Sequence, residues 1–181
     1  QIVLYSFSGV VATVFVFSWL LLQGVFDPPR LPKSLTNEQR QMMHPDTVRG
    51  IDAYVAGDYG SAVDLRMPRA NSGDEEAQFR IGRAYATGDG LPKSSQNAVI
   101  WYERSAASGH RSALNNLGVM FETGDGVTPD IKKAIKYYEA AVNLGHPSSM
   151  VNLAQMYNRN TAALGGPKIS EKLLLSAASM G

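Results

Sequence analysis

The sequence predicts an all-α protein: a solenoid of paired antiparallel helices, preceded by a single transmembrane helix. Three observations carry that expectation. An uncharged apolar run opens the chain, a 36-residue repeat follows, and each copy of the repeat has helical periodicity.

The apolar run comes first. No charged residue occurs from Ile2 to Phe26, a stretch of 25 residues. A helix of that length crosses a hydrocarbon core of about 30 Å. A cleaved signal has a shorter apolar region of about 7–15 residues, and Val10–Leu22 shows no amphipathic stripe. Residues 1–26 are therefore expected to anchor the chain as a single-pass span. Ser6, Gly9 and Thr13 fall at i, i+3, i+7, and Ala12 lies four residues after Ser8. Small residues at this spacing let a second transmembrane helix approach closely.

Residues 27–44 read as a spacer. Pro28, Pro29 and Pro32 favour extended polyproline geometry, which makes a semi-rigid arm. His44 falls at its end. Arg30, Lys33 and Arg40 follow the anchor, a bias that by the positive-inside rule holds the following domain in the cytoplasm.

Residues 45–181 read as the repeat domain. A shift of 36 residues aligns Ala77–His110 with Ala113–His146, with 11 of 34 positions identical. The identities include Gly82/Gly118, the Thr-Gly-Asp-Gly of 87–90 and 123–126, Tyr102/Tyr138 and His110/His146. The same register gives an opening repeat at 45–73, repeats at 74–110 and 111–146, and a degenerate copy at 147–181. Within a copy, Ala77, Ile81, Gly82 and Tyr85 share one helix face, and so do Ala98, Trp101, Tyr102 and Ser105. Each copy is thus a helix, a turn and a second helix, and copies must stack to bury their apolar faces. Gly181 occupies the hand-over position of the register, so the solenoid is expected to continue, or to be covered, beyond it.

Thr-Gly-Asp-Gly reads as a turn. A phosphate loop needs Gly directly before Lys-Ser, whereas Pro92 precedes Lys93-Ser94, and the second copy has Pro129-Asp130 there. A calcium loop needs alternating ligands, and Asp89 and Asp125 stand alone. Gly88 and Gly124 suit left-handed helix ends. Asp89 and Asp125 suit turn amides. Thr128 is expected to cap the next helix, with Pro129 in its first turn.

These residues resemble the Sel-one-like repeat family, a branch of the tetratricopeptide-like helical repeats. The second copy carries the pattern through Ala113, Leu117, Gly118, Phe121, Gly124, Gly126 and Val127. It continues through Asp130, Ala134, Tyr137, Tyr138, Ala140, Ala141 and Gly145. The first copy matches through Trp101 and Tyr102. The third departs, with "NRNTAALGGPK" in the turn and Leu173-Leu174 in place of the aromatic pair. The resemblance implies a right-handed α-solenoid that binds proteins. Anchored domains of the family are often extracytoplasmic, in the periplasm or intermembrane space, against the charge bias above. Some cysteine-rich members are linked to cell-wall chemistry, and this chain has no cysteine.

The composition narrows function further. There are 17 basic and 16 acidic residues, a balance that gives no footprint for nucleic acid. No nucleophile is paired with a base. His110 and His146 lie on neighbouring repeats about 8–10 Å apart, too far to share one zinc at about 2 Å each. Asp74, Glu75 and Glu76 suit a helix start, and Lys132, Lys133 and Lys136 a solvated face. The expectation is a protein without catalytic residues, cofactor or metal: a membrane-anchored interaction scaffold, as accessory subunit or assembly factor of a membrane protein complex. The alternative is a regulator of envelope enzymes or signalling, or itself an envelope hydrolase. Partner contact is expected on the first helices. Arg80, Asn116 and Asn152 are in register there, as are Arg83 and Gln155, Met120 and Met156, and Arg159 in the last copy. Methionines adapt their shape and arginines anchor interfaces.

Overall fold

The structure, a computed structural model, describes residues 35–159 and 175. Among these residues it is all-helical, with no strand. The helices are α1 (Asn37–Met42), α2 (Pro45–Val55), α3 (Tyr59–Asn71) and α4 (Glu75–Thr87), then α5 (Ser95–Ala107), α6 (Arg111–Thr123), α7 (Ile131–Asn143) and α8 (Pro147–Arg159). From α2 onward each helix packs against the next in sequence, which is the path of a solenoid. None of the described helices is long and apolar enough to cross a membrane. The expected anchor, with Ser6, Gly9, Ala12 and Thr13, lies outside the described residues. So do the polyproline run and most of the divergent loop at 158–168.

The helix pairs are held by a small-against-large device. A Cβ built on Gly82 would lie 2.7 Å from Tyr102 Cδ1, and one on Gly118 would lie 2.5 Å from Tyr138 Cε1. Both tyrosines are fully buried. The glycine lets the second helix lay an aromatic ring on the backbone of the first. One cluster, containing Leu117, Met120, Tyr138 and Leu153, runs through the middle repeats, and a second, containing Val63, Ala77 and Ile81, joins α3 to α4.

The turns resolve the Thr-Gly-Asp-Gly motif. Gly88 and Gly124 end α4 and α6 with φ of 89° and 80°. The second glycine of each turn does something else. Gly90 and Gly126 have φ of 79° and 76°, and each lies against the preceding helix pair. A Cβ on Gly90 would overlap the Tyr59 carbonyl, and one on Gly126 would meet Ser95 backbone at 2.5 Å. Tyr59 and Ser95 open the second helices of those pairs. The motif is an inter-repeat joint as well as a reversal.

One expectation needs correction. Thr128 does not cap α7. Asp130 does, accepting the Lys133 amide at 3.0 Å, while Pro129 packs against Gly124. Ser94 is the cap of α5 at the matching register position, so the repeat itself marked the site. The described part of the expected spacer, residues 35–44, carries a short helix. Thr36 and Gln39 form a reciprocal capping box that starts α1. Arg40 then grips Asp52 with two bonds, at 2.7 and 2.8 Å, fastening α1 to α2.

Candidate functional site

All three histidines are helix caps. His44 Nδ1 accepts the Asp46 amide, His110 Nδ1 the Ala113 amide at 3.2 Å, and His146 Nδ1 the Ser149 amide at 3.2 Å. His44 therefore opens α2. Capping through Nδ1 leaves Nε2 carrying the hydrogen, and His110 Nε2 lies 2.9 Å from Glu76 Oε2. Among the described residues no group of acids and histidines is arranged to hold a metal ion. Asp74 caps α4, and Glu75 and Glu76 sit in its first turn. Lys132 and Lys136 are exposed, but Lys133 is not simply solvated: its Nζ lies 3.9 Å from the Phe121 ring centroid.

His146 and Ser149 also meet side chain to side chain, at 3.0 Å. The pair is not arranged as nucleophile and base. Ser149 Oγ donates to Asn115 Oδ1 at 2.8 Å, and Asn152 Nδ2 donates to the same oxygen at 3.1 Å. One hydroxyl hydrogen cannot serve two acceptors, and all four residues are buried. The group is a polar seam between α6 and α8. Its cue in the sequence was Asn115, where the preceding repeat has Phe79.

The first-helix stripe divides in two. Asn116, Met120, Asn152 and Met156 are 3%, 0%, 5% and 1% exposed, so they have no free surface to offer. The methionines belong to the main core cluster, and the asparagines adjoin the seam. Arg80, Arg83 and Gln155 are half-buried and Arg159 is exposed. Arg80 pairs with Glu76, Arg83 donates to Tyr54 Oη at 3.1 Å, and Arg159 bridges Glu122 at 2.8 Å and Gln155 at 3.2 Å.

Arg80 also borders a cavity of about 400 Å³ among α2, α3 and α4. Its apolar wall includes Met43, Ile51, Tyr54 and Leu65, and its polar wall Thr47, Arg66, Arg69, Asp74 and Glu76. Burial raises the Glu76 carboxyl, but the His110 hydrogen bond and the charge of Arg80 outweigh it and hold Glu76 at about 2. Burial pushes the Arg66 guanidinium down to about 10, helped by the charges of Arg80 and Arg83. No repeated motif in the sequence marks this cavity. Its signal was Arg66, which occupies an apolar slot in the stripe Ala62, Val63, Met67, Ala70.

Stacked helix pairs with a glycine–tyrosine joint and a glycine turn define a helical repeat protein of the α-solenoid kind. Its repeats are Sel1 repeats: residues 75–110 and 111–146 each match the model of that family. A Sel1 repeat protein from Oxalobacter formigenes is similar over 74% of this chain and 54% of its own, at 27% identity and a TM-score of 0.69. A protective antigen present in uropathogenic Escherichia coli strains, displaying an SLR fold, is similar over 75% of this chain and 30% of its own, at 28% identity and a TM-score of 0.70. The chain thus spans about half the length of the first and under a third of the second. No curated protein matches it. Sel1 repeat proteins generally mediate protein–protein interaction and are typically non-catalytic.

Proposed function

We propose that this chain is a membrane-anchored scaffold, an accessory subunit or assembly factor that docks proteins of a membrane complex. The observation that carries the reading is the pairing of two Sel1 repeats with the uncharged run of residues 2–26. The repeats supply a protein-binding solenoid, and the run supplies a reason for the partner to be in a bilayer. On this reading the partner meets the solvent-facing members of the first-helix stripe, Arg83, Gln155 and Arg159, beside Arg80. The buried asparagines and methionines hold the stripe in shape. The repeat domain is placed outside the cytoplasm, as is common for anchored members of the family. Small residues in the anchor, Ser6, Gly9, Ala12 and Thr13, pack against a partner helix.

Co-purification tests the reading. After detergent extraction the chain should elute with a membrane complex at fixed stoichiometry. Gly9→Leu should weaken that association while membrane insertion persists. Quantitative elution alone, from membranes that contain the complex, would remove the scaffold role. A reporter active on only one side of the membrane, fused after residue 159, decides the side.

A further inference from the structure

The cavity among α2, α3 and α4 is bounded by three arginines, and two of them are matched. Arg69 pairs with Asp74, and Arg80 with Glu76. The third wall acid, Asp46, is taken by Arg49. Arg66 is different. Among the described residues it forms no ion pair. Its hydrogen bond is to the Ala62 carbonyl of its own helix, at 3.1 Å, and its guanidinium lies 5.8 Å from the Tyr54 ring centroid. That uses one of five N–H donors. The guanidinium sits in the stripe that α3 turns toward its neighbours, over Gly50 of α2, where a built Cβ would lie 3.6 Å from Arg66 Cζ.

A second group on the same wall lacks a partner. Thr47 Oγ1 is buried and has no hydrogen-bond partner in the protein. A buried hydroxyl and a partly desolvated cation left unmatched are each costly. Arg66 points to an acceptor that enters from outside, and Thr47 Oγ1, covered in this conformation, meets it only once its side chain turns. The volume is that of a ligand site, and the apolar walls at Met43, Ile51, Tyr54 and Leu65 suit a hydrocarbon stem. An acceptor on an apolar stem is the chemistry of a glutamate side chain. A chain end fits less well, because it would bring a backbone N–H inside. The acids there that would accept it already serve arginines.

We propose that this cavity binds an acidic side chain of a partner protein, with its carboxylate on Arg66 and Thr47 Oγ1 and its stem against Tyr54 and Ile51. The proposal rests on the reading of the chain as a protein-docking solenoid. It explains why the cation is kept in an apolar slot although burial and two neighbouring arginines, only partly offset by the charge of Glu76, oppose it.

The probe is a set of short peptide pools, N-acetylated and C-amidated, with a fixed central Glu or Gln and random flanks. A third pool has central Gln and a free terminal carboxylate. Retention on the immobilised full chain is read by mass spectrometry. The Glu pool should be retained about tenfold or more over the Gln pool, the scale of a charge-assisted bond. Arg66→Gln should abolish the preference, and Thr47→Val should reduce it several-fold. Thermal melts confirm that both variants fold. Equal retention of the Glu and Gln pools, or an unchanged preference in Arg66→Gln, overturns the proposal. Preference for the free-carboxylate pool overturns the side-chain assignment. Co-purification with the membrane complex is scored separately. If it persists while the peptide preference fails, this pocket is wrong and the scaffold reading stands.

Discussion

Tyr138 lies against the backbone of Gly118, so close that a Cβ there would fall 2.5 Å from ring carbon Cε1. The ring is fully buried, and its hydroxyl donates to Glu122 Oε2 at 2.8 Å. Burial, and then the Glu122 charge, push the phenol pKa up. The hydroxyl therefore stays protonated, and remains a donor, as pH rises into the alkaline range.

Gly118→Ala should therefore destabilise the protein although alanine is the better helix former. Overpacking costs about 1–3 kcal/mol, against a gain of at most about 1 kcal/mol from helix propensity. Calorimetry should show a lower Tm. Adding Tyr138→Leu makes room, so the double variant should lose less than the sum of the two singles. Strict additivity would mean that the ring does not occupy that space.

The turn glycines should rank by what surrounds them. Gly109 has φ of 86° and nothing within 4 Å of a built Cβ, whereas Gly126 has φ of 76° and Ser95 backbone at 2.5 Å. Gly109→Ala should cost about 1 kcal/mol, the strain of a left-handed residue. Gly126→Ala should cost clearly more, because backbone cannot swing aside. Denaturant midpoints measure both, and equal losses would show that the inter-repeat joint is not tight.

The polar seam predicts a large effect from a small deletion. Asn115 Oδ1 receives both Ser149 Oγ and Asn152 Nδ2. Asn115→Ala opens a cavity and removes the acceptor that Ser149 and Asn152 share, for a loss of about 2–4 kcal/mol. A urea midpoint that falls at constant slope is the expected signature.

Acid should weaken the junction of α4 with the His110 cap through Glu76. Its folded value, about 2, lies below the usual unfolded value of about 4.3. A depressed acid contributes stability that is present above the unfolded value and lost as pH falls toward the folded one. Stability should therefore decline between about pH 4.3 and pH 2, and Glu76→Gln should flatten that part of the profile. An unchanged acid limb in the variant would place the loss elsewhere.

The repeat was legible because its cues are local and recur. Gly82 and Gly118, Tyr102 and Tyr138, and the two glycine turns recur at one spacing, and the structure uses each pair in the same way. Thr128 misled because a threonine before a proline imitates a helix start. The Ser94–Asp130 register was the better guide. For the first-helix stripe the shared face was legible and its burial was not. Period fixes which residues share a face, but not how deeply a neighbouring repeat covers it. Every residue of α6 from Ala113 to Phe121 is buried, and that removed Asn116 and Met120 from the surface. The Arg66 cavity depends on α2, α3 and α4 meeting, which no single repeat encodes.

Photo-crosslinking reads docking through the first helices. A benzophenone amino acid is placed in turn at Arg83, Gln155 and Arg159, and at Glu103 and Lys136 on the second helices, in the membrane-extracted chain. Docking there predicts that the first three positions crosslink to one and the same subunit of the membrane complex and that Glu103 and Lys136 do not. Crosslinks to that subunit from Glu103 and Lys136, with none from the first-helix positions, would contradict it.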